Sequence, residues 1–168
     1  GGQMGSMFVS RYPQLVNGFI LNASCSVYYK GWGKAGIGVW LFAQASNLLA
    51  KIKGNYPGSR IGFGGQEARG IISDWAHTSR TNSLAAHGSD YDYDKAIAES
   101  TLPILALSYQ GDSSAPPLAL NYLLEKFTKA SIETHHIRSS QKKYNHYSWV
   151  REPQTNIPVV KEWVKRIS

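Results

Sequence analysis

Residues 102–117 read LPILALSYQGDSSAPP. Ile104, Leu105, Ala106 and Leu107 form an apolar run with no polar residue alternating among them. A strand without alternation is covered on both faces, as in a parallel sheet flanked by helices. Pro103 is tolerated near a strand start. After Tyr109-Gln110-Gly111 the run stops and delivers one acidic residue, Asp112, into a loop, where Gly111 permits a tight turn. Pro116 and Pro117 then lead into a helix.

Outward from this stretch, residues 15–24 (LVNGFILNAS) predict a second strand of the same kind, centred on Phe19-Ile20-Leu21. Small residues follow at Ala23 and Ser24, where a strand would open into a cleft. Residues 2–12 predict a helix with Met4, Met7 and Phe8 on one face, ended by Pro13. Downstream come a helix over 117–129, a short third strand over 132–137 (IETHHI) and a closing helix over 155–167. The last presents Ile157, Val160, Trp163, Val164 and Ile167 as its core face. Strand and helix in alternation predict an α/β fold with about three parallel strands and right-handed crossovers.

Residues 27–95 interrupt that alternation. A helix is expected over 34–53, with Ile37, Trp40, Leu41, Leu48, Leu49 and Ile52 on its apolar side. NYPGSRIGFGG follows as a turn-rich connector. A second helix is expected over 66–78, with Ile71, Ile72 and Trp75 inward. An inserted helical segment rich in Trp and Tyr reads either as a lid over a binding cleft or as an ordinary packing layer. The expected organisation is a core from 1–26 and 96–168, with 27–95 as a helical cap.

Composition narrows the function classes. The 168 residues fit one domain, and 42% apolar with 17% charged side chains fits a globular chain. No run of 18 apolar residues occurs, so no transmembrane segment is expected. A single cysteine, Cys25, excludes an internal disulfide and suits a reducing compartment, giving a cytoplasmic expectation. The net charge of +7 raises nucleic-acid binding. The basic residues are scattered, however, apart from Arg138, Lys142 and Lys143, and no nucleic-acid motif accompanies them. A solvated basic surface, with no nucleic-acid partner, is the expectation. The opening GGQMGS shows no signal peptide. It resembles the inside of a helix N-terminus, where a chain would be cut rather than begin.

Two residues carry the candidate chemistry. Asp112 sits in a loop after a strand, where ligands bind in parallel sheets. His146 lies in KYNHYSW, ahead of the closing helix. A carboxylate beside an imidazole fixes its tautomer and stabilises its cation, as abstraction of a hydroxyl proton requires. Each residue also has a plain reading, Asp112 as a cap of the following helix and His146 as a structural loop histidine. Ser113 and Ser114 are possible hydrogen-bond donors to the carboxylate. His135 and His136 are adjacent on a strand, point to opposite faces and cannot share a metal. No zinc or calcium motif occurs, and neither metal nor cofactor is expected. Asp90, Asp92 and Asp94 read as a solvated acidic face, and Cys25 as a small buried residue.

These residues together resemble the C-terminal half of an alpha/beta hydrolase. In that family the nucleophile turn reads G-x-S-x-G, often as GHSxGGQ, and Gly1-Gly2-Gln3 match its tail. Asp112 matches the family acid and His146 the family base, in the order Ser, Asp, His. YPGSRIGFGG and ISDWAHTSR further resemble a little-characterised bacterial branch of the family with a helical cap. The resemblance implies a parent serine hydrolase, esterase or lipase-like, acting on a small-molecule acyl substrate without a cofactor. The serine would lie two positions before Gly1, and the N-terminal half of the fold would be the missing partner. The present chain alone would be inactive. Tyr28, Tyr29, Trp32, Trp40 and Trp75 are the candidate cap or pocket residues. The alternatives are a hydrolase-fold binding protein without catalysis, dehalogenase-type chemistry if an Asp takes the serine position, and a basic nucleic-acid binder.

Overall fold

Helix α1 (Gly2–Arg11) leads into strand β1 (Phe19–Asn22). Glycines bring the two close. A Cβ on Gly2 would lie 2.5 Å from Ser24 Cβ, and one on Gly5 would lie 3.0 Å from the Phe19 ring. The computed structural model describes residues 1–138 and 144–168, so Lys142 and Lys143 of the expected basic group lie outside the described residues. β1 begins later than residue 15, because Pro13–Leu15 forms a 3-10 turn with proline at its first position.

A second 3-10 segment, Tyr29–Ala35, precedes helix α2 (Gly36–Lys53). The expected connector holds more structure than a turn. Strand β2 (Asn55–Pro57), the short helix α3 (Gly58–Ile61) and strand β3 (Gln66–Ala68) form an antiparallel ribbon, with Asn55 opposite Ala68. Residues 66–68 are therefore strand, and helix α4 (Arg69–Thr81) starts only after them. Its end is marked by Asn82 in the left-handed conformation. Helix α5 (Tyr93–Glu99) was not expected. Asp92 caps it by accepting from the Lys95 N–H at 2.9 Å. The acidic run is thus partly a helix start rather than only a solvated face.

Strand β4 (Ile104–Tyr109) has all six residues buried. It is the centre of a parallel sheet ordered β1-β4-β5, where β5 is Ile132–Ile137. Phe19 aligns with Ile104, which aligns with Ile132. Helix α6 (Pro117–Leu124) is shorter than expected. Helix α7 (Ser148–Arg151) and helix α8 (Ile157–Ile167) complete the chain. Side chains of β4 alternate between two cores. Ile104 and Ala106 pack with Leu21, Ile97 and Leu123, whereas Leu105, Leu107 and Tyr109 pack with Tyr144 and Trp163. Burying each such side chain is worth about 1.5–3 kcal/mol.

The expected core face of α2 is reversed, while those of α4 and α8 hold in part, with Ile72, Val160, Trp163 and Ile167 packed inward. α2 buries Gly36, Ala43, Ser46 and Ala50, whose small side chains let it lie close on α4. Its bulky stripe of Ile37, Leu41, Leu48 and Ile52 faces out. On α4, Ile72 is buried while Ile71 is exposed; on α8, Trp163 is buried while Ile157 and Val164 are exposed.

Candidate active site

The backbone turns sharply where β4 ends. Gly111 adopts φ 92°, a left-handed value suited to glycine, and the Asp112 N–H donates to the Tyr109 carbonyl at 3.2 Å. The carboxylate is then held by backbone. Its Oδ1 accepts from the N–H groups of Ser114 at 2.9 Å and Ala115 at 3.2 Å. Ser114 thus donates to the carboxylate as expected, through its backbone rather than its hydroxyl, whereas Ser113 does not. Pro116, not Asp112, occupies the N-cap of α6. The Asp112 side chain is 1% exposed.

The second oxygen, Oδ2, faces His146 Nδ1 at 3.0 Å. A carboxylate only accepts, so the proton of this contact belongs on Nδ1. That leaves Nε2 as the nitrogen able to take a proton. The loop is fixed on both sides of the histidine. The Asn145 N–H donates to Ser148 Oγ at 2.8 Å, and the Tyr147 N–H donates to Asn145 Oδ1 at 2.9 Å. Buried Tyr144 packs on Tyr109, with ring centroids 5.8 Å apart. His146 itself is 34% exposed, so one edge of the ring is open.

Behind the pair lies a network that sequence reasoning missed. The Tyr109 hydroxyl donates to Asn22 Oδ1 at 2.7 Å and accepts from Asn156 Nδ2 at 3.1 Å. This ties the ends of β1 and β4 to the start of α8, and burial pushes the Tyr109 phenol up. Each asparagine sits at an element boundary, and nothing in its local sequence signals a shared partner.

His146 opens on a cavity of about 620 Å³, which Gly1, Gly2 and Gln3 also line. Gln3 Nε2 donates to the Cys25 carbonyl at 3.2 Å, fastening the first turn of α1 to the loop after β1. Met4, Met7, Ile71, Trp75 and Leu84 give the cavity an apolar wall. Of the aromatic residues expected here, Trp75 lines it; Tyr28, Tyr29, Trp32 and Trp40 do not. Tyr28 stacks edge-on against Tyr29 and Tyr122, and the Trp32 indole donates to the Ser26 carbonyl. Trp40 lies on the outward side of α2. Ser6 is buried and donates to the Gly2 carbonyl, away from any role as nucleophile. Cys25 also lines the cavity, where burial and the nearby Asp112 push its thiol up to about 12.

No family model and no curated protein matches this sequence. Solved structures do match. BpoC of Mycobacterium tuberculosis H37Rv aligns at 12% identity over 100% of this chain and 65% of that chain, with a TM-score of 0.50. VinJ aligns at 12% identity over 100% of this chain and 64% of that chain, at 0.51. Rv0554 of Mycobacterium tuberculosis aligns at 14% identity over 98% and 62%, at 0.50. The chain spans less than two thirds of the length of each. The fold it shares with them is the alpha/beta-hydrolase fold, seen as a parallel three-stranded sheet flanked by helices.

Proposed function

We propose that the protein to which this chain belongs is a serine hydrolase of acyl esters, with His146 as general base and Asp112 as the residue that orients it. The observation that carries this reading is the contact from Asp112 Oδ2 to His146 Nδ1, on the wall of a cavity of about 620 Å³. The mostly apolar lining suits an acyl chain. Gly1 and Gly2 line the same cavity, and two residues span at most about 7 Å. A serine two positions before Gly1 would therefore lie within about 7 Å of a residue that shares the cavity wall with His146. Its hydroxyl would attack the ester carbonyl while His146 Nε2 takes the proton. The imidazolium would pass that proton to the departing alcohol, and water would release the acyl group by the same route. The remaining part of the sheet would pair with the free edge of β1. Residues 27–95 would form the cap, with α5 crossing its downstream boundary. The substrate class is a small-molecule acyl ester.

The experiment is hydrolysis of p-nitrophenyl acyl esters by the parent protein and by its His146→Ala variant. The variant should lose kcat by about 10⁴ with little change in KM. Undiminished turnover would overturn the reading.

A further inference from the structure

The outward stripe of α2 is apolar where a surface helix is ordinarily polar. Ile37, Leu41, Leu48 and Ile52 are 68%, 54%, 60% and 74% exposed. With Ala45 they recur at spacings of three and four and so form one continuous face. The 18-residue helix extends this face over about 27 Å. Contiguous exposed apolar surface of this kind marks a contact site.

Charge indicates what covers it. Residues 1–66 carry six Lys or Arg and no Asp or Glu, against +7 for the whole chain. Lys34 just before α2, Lys51 and Lys53 in its last turn and Arg60 on α3 are exposed, and none is paired with a carboxylate among the described residues. Next to the C-terminal end of α2, Lys51, Arg69, Ser73 and His87 line a cavity of about 490 Å³. It borders the candidate active site through Gly70 and His87. A second copy of the chain would set these like charges face to face across a two-fold axis. The rest of the sheet would join at β1, whereas α2 packs on α4 and β2.

We propose that this face docks onto an anionic lipid bilayer, with the apolar stripe in the interface and the exposed cations against lipid phosphates. No helix among the described residues is long and apolar enough to cross a membrane, so α2 lies in the interfacial plane. The Lys51–Arg69 cavity offers a headgroup phosphate a cationic site beside the cleft. This docking stands apart from the hydrolase reading, since it needs no turnover.

Vesicle sedimentation tests it, using the parent protein with phosphatidylcholine vesicles and with vesicles of equal parts phosphatidylcholine and phosphatidylglycerol. The protein should pellet with the anionic vesicles alone, and high salt should release it. Leu48→Glu with Ile52→Glu should abolish pelleting. Lys34→Gln with Lys51→Gln, which leaves the apolar face intact, should weaken partitioning about 25-fold, at about fivefold per charge. Absent pelleting, or equal pelleting with both vesicles, would overturn the proposal. So would a concentration-dependent dimer that the Leu48→Glu and Ile52→Glu pair dissolves.

Discussion

Replacing Asp112 separates its two oxygens by function. In Asp112→Asn the side-chain carbonyl can still accept from the Ser114 and Ala115 N–H groups, so the turn should survive. The amide then presents a donor to His146 Nδ1 at the 3.0 Å contact. Two donors cannot share that contact, so the imidazole should shift its proton to Nε2, the nitrogen meant to accept one. The stability cost is the difference between a charge-assisted and a neutral hydrogen bond, about 1 kcal/mol. In Asp112→Ala both acceptors vanish. Exposed Ser114 regains water, whereas the N–H of buried Ala115 does not, at a cost of about 1–3 kcal/mol beyond the asparagine variant. Long-range proton–nitrogen correlation spectra report the His146 tautomer, and urea unfolding reports the stabilities. In the parent enzyme Asp112→Asn should lower kcat by about 10⁴. An unchanged tautomer in Asp112→Asn, or an alanine variant as stable as the asparagine one, would refute this geometry.

Two further outcomes are expected. Burial alone would raise Asp94, but Lys126 at 2.8 Å, the Ser83 side chain and the Leu84 N–H outweigh it and hold the carboxyl below its ordinary value. A depressed carboxyl stabilises the fold above the unfolded value of about 4 and loses that contribution as pH falls through the folded one. Asp94→Asn should therefore cost about 1 kcal/mol at pH 7, with a gap that closes in acid when unfolding is compared across pH. Cys25, raised to about 12, should hold only about one thiolate in 10⁴ at pH 8. Its alkylation by iodoacetamide should be far slower in the folded than in the unfolded protein, and equal rates would contradict the burial.

The parallel sheet was legible because β1 and β4 are unbroken apolar runs, a pattern that only two-sided burial explains. Asp112 and His146 were legible as candidates because each follows a strand at one sheet edge, and the structure brings them within hydrogen-bonding distance. The direction of α2 was not. Its sequence has a bulky stripe and a small-residue stripe, and periodicity alone assigns the bulky one to the core. Close approach to α4 requires the small one, a constraint set by a neighbour distant in the chain. The β2–β3 ribbon escaped because three-residue strands carry too few side chains to show a period. The Asn22–Tyr109–Asn156 network escaped because hydrogen bonds between distant residues leave no local pattern.

Reaction of the parent protein with a fluorophosphonate, followed by peptide mapping, bears most directly on whether this imidazole and carboxylate serve a nucleophile. The expected result is one phosphonylated serine two positions before Gly1, with labelling lost in His146→Ala. Labelling at Ser24 or Ser114 instead, or labelling undiminished without His146, would contradict it.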